Sequence, residues 1–217
     1  MANIKLDHDL SGIYQSLGRM MSLVDEALSD MTMAYKKRNL KLAEKVMDRD
    51  EQINAMEIKI DHDCILFIAR NQPVAKDLRT VASVHKILTD LERIGDITSD
   101  ICKSMISLRE IPFNEIDEDI VQLADNARRM VADSVRSFIN EDLQGAYDVI
   151  AFDDVIDQAY YRLKDKIAIQ MRNQSEIVQV NGLIAQLTIA KYMEKLADHA
   201  QNISEWIIFT VSGEYKA

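Results

Sequence analysis

The residues in this chain best placed to do chemistry are carboxylates spaced four apart. Glu92, Asp96 and Asp100 fall within Asp90-Leu91-Glu92-Arg93-Ile94-Gly95-Asp96-Ile97-Thr98-Ser99-Asp100, a stretch whose apolar pattern is otherwise helical. Side chains four apart lie above one another on a helix, and like charges at that spacing repel by a few tenths of a kcal/mol per pair. An acidic ladder of this kind calls for a cation beside it. A second ladder follows. Moving along the chain by 102 positions carries Glu92 onto Glu194, Asp96 onto Asp198 and Asp100 onto Asn202, and carries Arg70-Asn71-Gln72 onto Arg172-Asn173-Gln174 without a gap. The chain therefore reads as a tandem duplication whose unit is about half its length.

Facing partners for these ladders exist on the preceding helix of each half. Asp50 and Asn54 stand four apart roughly twenty residues before the Arg70-Asn71-Gln72 turn, and Glu92 stands roughly twenty after it. Antiparallel neighbours joined by a short turn bring such positions to the same height. In the second half Asp153 and Asp157 take the corresponding place, with a one-residue offset. Each half can thus direct two acidic pairs to one place, which is how helical bundles build carboxylate metal centres. The candidate metal ligands are Asp50, Glu92, Asp96, Asp100, Asp153, Asp157, Glu194 and Asp198. Oxygen-rich ligation without Cys suits iron, manganese, magnesium or calcium, with zinc accessible. The Glu-x-x-His pattern of ferritin-like di-iron enzymes is missing, since position 195 is Lys and positions 95 and 99 are Gly and Ser. The competing reading is a solvated acidic face balanced by Arg93, Lys103 or Lys195. His8, His62, His85 and His199 are scattered and read as surface or packed residues.

The elements that must hold these groups are helices. Six Gly and two Pro among 217 residues, against eleven Met and abundant Ala, Leu, Ile, Lys and Glu, favour a nearly all-helical chain. Leu10, Ile13, Leu17, Met20, Val24, Leu28 and Met31 recur at three- and four-residue steps, which predicts a first helix over about 6–38. Asn39 suits the N-cap of a second helix reaching Ala69, and Pro73 suits the first position of a third, which carries Val81, Val84, Leu88, Leu91 and Ile94. Glu110-Ile111-Pro112 is the expected joint between halves. Asn114 is expected to open a fourth helix, Asn140-Glu141-Asp142 to cap the fifth, and Ser175 to open a sixth that Gly213 stops. Helices of about 30 residues, each about 45 Å long, joined by short turns, predict an all-α fold of two tandem, pseudo-symmetric three-helix up-and-down bundles, residues 1–110 and 111–217.

Composition also narrows function. A net charge of −10 argues against a nucleic-acid backbone binder. Cys64 and Cys102 sit in apolar helical pattern without metal-type spacing and read as buried reduced thiols. With neither a signal-peptide run nor a stretch of about 18 to 20 apolar residues, a cytoplasmic location is expected.

Asp90-Leu91-Glu92-Arg93-Ile94-Gly95-Asp96, preceded by Arg70-Asn71-Gln72-Pro73-Val74-Ala75-Lys76-Asp77-Leu78-Arg79 and echoed by Glu194-Lys195-Leu196-Ala197-Asp198-His199-Ala200-Gln201-Asn202, resembles the PhoU family of phosphate-transport accessory and regulatory proteins. The likeness extends over almost the whole chain, including Asp50-Glu51-Gln52-Ile53. It implies multinuclear metal clusters, iron or zinc among them, held by acidic pairs four residues apart, and these match at Glu92 with Asp96, Glu194 with Asp198 and Asp153 with Asp157. Asn54 departs from the pattern, Ile97 replaces the family's usual His, and Asp100 stands where Asn is usual and restores one negative charge. The resemblance further implies regulation rather than catalysis. The expected partners are the ATP-binding subunit of the phosphate ABC transporter and a sensor histidine kinase, met at the membrane through those proteins alone, with homodimerisation as a further expectation. The competing classes are a carboxylate-bridged metallohydrolase or oxidase and a metal-free structural bundle.

Overall fold

A computed structural model of the chain describes residues 2–108 and 117–214, of which residues 2–5 and 7 are described by their backbone alone. Six long helices account for it: α1 (Ala2–Lys37), α2 (Leu40–Asn71), α3 (Ala75–Ser107), α4 (Glu118–Ile139), α5 (Leu143–Arg172) and α6 (Ile177–Ser212). No strand occurs among the described residues. None of the described helices is long and apolar enough to cross a membrane.

Local chemistry sets most of the boundaries. The Asn39 side chain accepts from the Leu42 N–H at 3.1 Å and opens α2, while Asp142 accepts from the Gly145 N–H at 3.1 Å and opens α5. Gly213, at φ 79°, closes α6 in the left-handed conformation that glycine adopts without cost. Two expectations shift. Pro73 lies ahead of α3 rather than on its first position, because Val74 takes the N-cap in extended backbone. The sixth helix begins at Ile177, with Glu176 as its cap, instead of at Ser175. The Glu110-Ile111-Pro112 joint and Asn114 lie outside the described residues, and Asp117 is the N-cap of α4.

Each half folds as an antiparallel trio, α1–α2–α3 and α4–α5–α6, and the two trios pack side by side along α3 against α6 and α1 against α4. Both cross-pairs are antiparallel. Thr210 meets Ser83 at 2.7 Å and His199 meets Asp90 at 2.9 Å, so α6 descends as α3 ascends. Arg128 clasps Asp25 through two bonds of 2.7 and 3.0 Å, and Lys36 reaches Asp125 at 3.1 Å. A pseudo-two-fold axis therefore passes between α3 and α6 near Gly95 and Ala197, the residues that the duplication equates. The apolar stripes of all six helices merge in one core, in which Leu17, Met20, Ile60, Leu91, Ile94 and Met193 have at most 1% of their surface exposed. Each such side chain stabilises the fold by roughly 1.5–3 kcal/mol relative to exposure. Cys64 and Cys102 are buried free thiols. α2 and α5 flank this core and do not touch each other.

Candidate metal centres

The acidic ladders lie where α3 and α6 meet their outer partners. In the first half α2 supplies Asp50 and Asn54 and α3 supplies Glu92, Asp96 and Asp100. The helices approach closely here because position 95 has no side chain. A Cβ on Gly95 would stand 3.1 Å from Ile53 Cδ1 and 3.3 Å from Asp50 Oδ1. The glycine thus lets the Asp50 carboxylate rest against α3, between Glu92 and Asp96 in height.

The electrostatics follow from that proximity. Burial raises the Asp50 carboxyl above its ordinary range, and Asp96 and Asp100 on the facing helix add to the effect, against Lys103 and the Asn54 amide. Burial likewise raises Glu92, with Asp96, Glu57 and Asp50 contributing and Arg93 opposing. Glu57 is an acidic neighbour that the spacing rule did not single out. It stands three residues beyond Asn54 on α2, and the helical i, i+3 relation was the signal for it. Asn54 donates to Asp50 Oδ2 at 3.4 Å, yet Asp50 Oδ1 and Asn54 Oδ1 are both buried without a hydrogen-bond partner.

The second half repeats the geometry with α5 and α6. Asp153 is half-buried, and its carboxyl is pushed up to about 6, first by burial and then by Asp198, Asp157, Glu194 and Asp154. Asp198 is raised by burial and by Asp157, with Lys191, His199 and Lys195 opposing. Asp153 Oδ1 and Glu194 Oε2 are buried without a hydrogen-bond partner. The Lys191 ammonium donates to Glu194 Oε1 and sits 5.2 Å from the centre of the Tyr160 ring.

Facing helices thus bring Asp50 within electrostatic reach of Glu92, Asp96 and Asp100, and Asp153 within reach of Glu194 and Asp198, with Asp157 one turn along from Asp153 on α5. They do not bring these oxygens onto a single point. Among the described residues no three Asp, Glu, His or Cys side chains are gathered closely enough to hold a metal ion. Nearby bases hold three of these carboxylates instead. Arg93 Nη1 donates to Asp96 at 3.0 Å, Lys103 donates to Asp100 at 2.8 Å, and Lys191 holds Glu194. The donor set nevertheless fits a hard cation, since four buried oxygens have no hydrogen to accept or share and every candidate ligand is oxygen.

Two residues outside the ladders matter to their setting. Asp90, only 9% exposed, accepts from Asn202 at 3.3 Å and lies 2.9 Å from His199 Nδ1, so it joins α3 to α6 across the pseudo-axis. The duplication equates Asn202 with Asp100, so one position serves an acidic groove in the first half and the bundle interface in the second. Lys191 has no basic counterpart in the first half, where position 89 is Thr. Neither role was visible in spacing alone.

Comparison with known proteins agrees with the doubled architecture. The PhoU domain model matches twice, over residues 17–105 and 120–207. A relative from Pseudomonas putida, named phosphate-specific transport system accessory protein PhoU homolog, is 34% identical over 94% of this chain and 80% of its own. One of the same name from Clostridium acetobutylicum is 31% identical over 96% of this chain and 94% of its own. The crystal structure of the phosphate transport system regulatory protein PhoU from Streptococcus pneumoniae superposes with a TM-score of 0.90 at 30% identity, covering 98% of this chain and 99% of that one. All three are named as accessory or regulatory proteins, not as enzymes. With both halves matched and the fold shared along nearly its full length, the chain belongs to the PhoU family.

Proposed function

We propose that this chain is an accessory and regulatory protein of phosphate-specific transport that binds metal ions in its two acidic grooves, one contributed by each half, 1–110 and 111–217. The observation that carries the metal reading is the set of buried, partnerless oxygens on Asp50, Asn54, Asp153 and Glu194, placed among carboxylates on facing helices that help raise the carboxyls of Asp50 and Asp153. Such oxygens are costly to bury without a donor or a cation. Asp50, Glu92, Asp96 and Asp100, with the neutral Asn54 oxygen, would hold the first ion or cluster. Asp153, Asp157, Glu194 and Asp198 would hold the second. Iron and zinc are the leading candidates, with manganese, magnesium and calcium also compatible with oxygen donors. When bound, the metal supplies concentrated positive charge with open positions for phosphate or for a partner's carboxylates.

The partner reading rests on the names of the relatives and on the family. The chain would act on the cytoplasmic side, contacting the ATP-binding subunit of the phosphate transporter and a sensor histidine kinase, and holding the starvation response off while phosphate is plentiful. Long rigid helices with a charged groove on each flank suit docking rather than turnover. Homodimerisation is compatible with that role.

Elemental analysis of protein purified without chelator, beside an E92Q/E194Q variant, tests the metal. Stoichiometric iron or zinc that falls in the variant is expected, and an equal content in both proteins would refute the ligand assignment. Co-purification of the tagged chain with transporter-containing membranes, with and without phosphate, tests the partner. Retention independent of the ATP-binding subunit would count against it.

A further inference from the structure

The two acidic grooves differ in what balances them. In the first, the bases sit at the solvent edge. Arg93 and Lys103 are 56% and 58% exposed along their side chains; Lys103 holds Asp100, and Arg93 holds Asp96 at 3.0 Å and lies 3.5 Å from Glu92, the counterpart of Glu194, which is 20% exposed. In the second, the base reaches the most enclosed ligand. The Glu194 side chain is 10% exposed, and Lys191 holds one of its oxygens while the other is left buried and partnerless. The aromatic face of Tyr160, 5.2 Å from the Lys191 nitrogen, supports the ammonium from the other side. Thr89, the residue that duplication places opposite Lys191, turns its hydroxyl back to the His85 carbonyl at 3.4 Å and offers no charge. Lys191 is thus a base that the second centre has and the first lacks at the equivalent position.

We infer that Lys191 is a built-in occupant of the second centre: its ammonium takes the place of a cation at Glu194 in the metal-free protein, and a metal ion must displace it to bind there. This rests on the metal reading above and concerns only how the second centre is regulated. An ammonium competes with a metal for the same lone pairs without being a ligand itself, so it lowers the apparent affinity by the stability of the contact it must give up. The same contact protects the metal-free fold, because Asp153, Glu194 and Asp198 would otherwise face one another with less compensating charge. The second centre would then fill only at metal concentrations above those its oxygen set alone would require, and its emptying would be tolerated.

The test compares Lys191 with K191M and K191R in a D50N/E92Q/D96N background, where the first centre is removed, and K191M again in the otherwise unaltered chain. Circular dichroism establishes that each is folded, and manganese(II) is titrated by calorimetry. K191M is expected to bind at the second centre about tenfold more tightly, the scale of a lost charge-assisted contact, and K191R to stay within about threefold of the parent. In chelator the melting temperature of K191M should fall below that of the parent, and manganese should raise it by more. An unchanged or weaker affinity in K191M, with manganese still binding the parent, overturns the gate while leaving the metal reading in place. No manganese binding in any of these proteins overturns both.

Discussion

Replacing Asp153 by Asn removes a charge that the metal-free fold does not want, and the size of the effect can be worked out in advance. The Asp153 carboxyl is pushed up to about 6 from 3.8 by burial, with the facing carboxylates adding to it. Its folded pKa thus exceeds its unfolded value. Its contribution is most favourable below about pH 4, where it is protonated in both states, and is lost as pH rises through 6. A rise from 3.8 to about 6 corresponds to about 3 kcal/mol at full value. Because the group is half open to water, screening brings the expectation to about 1 kcal/mol. D153N in chelator should therefore be more stable than the parent by about that much at pH 7.5, or about 2–4 °C in melting temperature for a chain of this length.

The assay is urea unfolding of both proteins in chelator at half-unit steps from pH 4 to 8. The quantity read is the difference in unfolding free energy between them, which cancels the other titrations. It should be near zero at pH 4, grow between pH 4 and 6, and level off above 6.5. Added manganese should stabilise the parent more than D153N, narrowing or reversing the difference, since the substitution removes a ligand charge at the second centre and leaves the first intact. A difference that is flat with pH, or a D153N protein less stable than the parent at pH 7.5 in chelator, would refute the account of Asp153 as an acid held in an uncompensated acidic groove.

Other substitutions probe the frame around the grooves. G95A gains about 1 kcal/mol of helix propensity but sets a Cβ 3.1 Å from Ile53 Cδ1, a fully buried neighbour, at an overpacking cost of about 1–3 kcal/mol. A net loss of up to about 2 kcal/mol is expected by denaturant melt, with weaker metal binding at the first centre as Asp50 is pushed away; a gain in stability would show that α2 yields freely. D90A leaves His199 and Asn202 without their shared acceptor and should cost about 1–3 kcal/mol. Amide exchange should rise along the α3–α6 contact in that variant, and unchanged protection there would show the link to be dispensable. G145A would place its Cβ against Ser137 Oγ and 2.7 Å from Asp142 Oδ2, disturbing the cap of α5, so about 1–2 kcal/mol should be lost. An unaltered urea midpoint would mean that the cap re-forms around the methyl group.

Helix count, order and type were legible because amphipathic periodicity over 30-residue segments leaves few alternatives, and because Asn39, Asp142 and Gly213 mark ends by local chemistry that needs no tertiary context. The joint around Pro73 was misplaced by two positions, since Pro fits equally well at the start of a helix or just ahead of one and only the path of the chain decides. Which carboxylates face one another was also legible, because the short α2–α3 and α5–α6 turns fix the heights of Asp50 and Asp153 against the ladders. What periodicity could not supply was the relation between the halves. A duplicated unit can be tethered, stacked or fused, and the contacts that fuse these two, Asp90 with His199 and Asn202 and Arg128 with Asp25, are single polar pairs more than 100 residues apart in sequence.

That fusion changes what the duplication can do. Two separate bundles would each carry a groove free to reorient, whereas one core shared along α3 and α6 fixes both grooves to the same rigid pair of helices. The antiparallel crossing at Gly95 and Ala197 sets the ladders on opposite flanks at the same height, so an event at one groove acts on a helix packed against the helix of the other. The sequence differences between the halves then gain meaning as divergence of two linked centres. Asn54 with Asp100 moves one negative charge from α2 to α3 in the first groove, and Lys191 adds a positive one to the second. A chain that needed only two equal anchors would have no reason to keep the halves so rigidly joined and so differently charged.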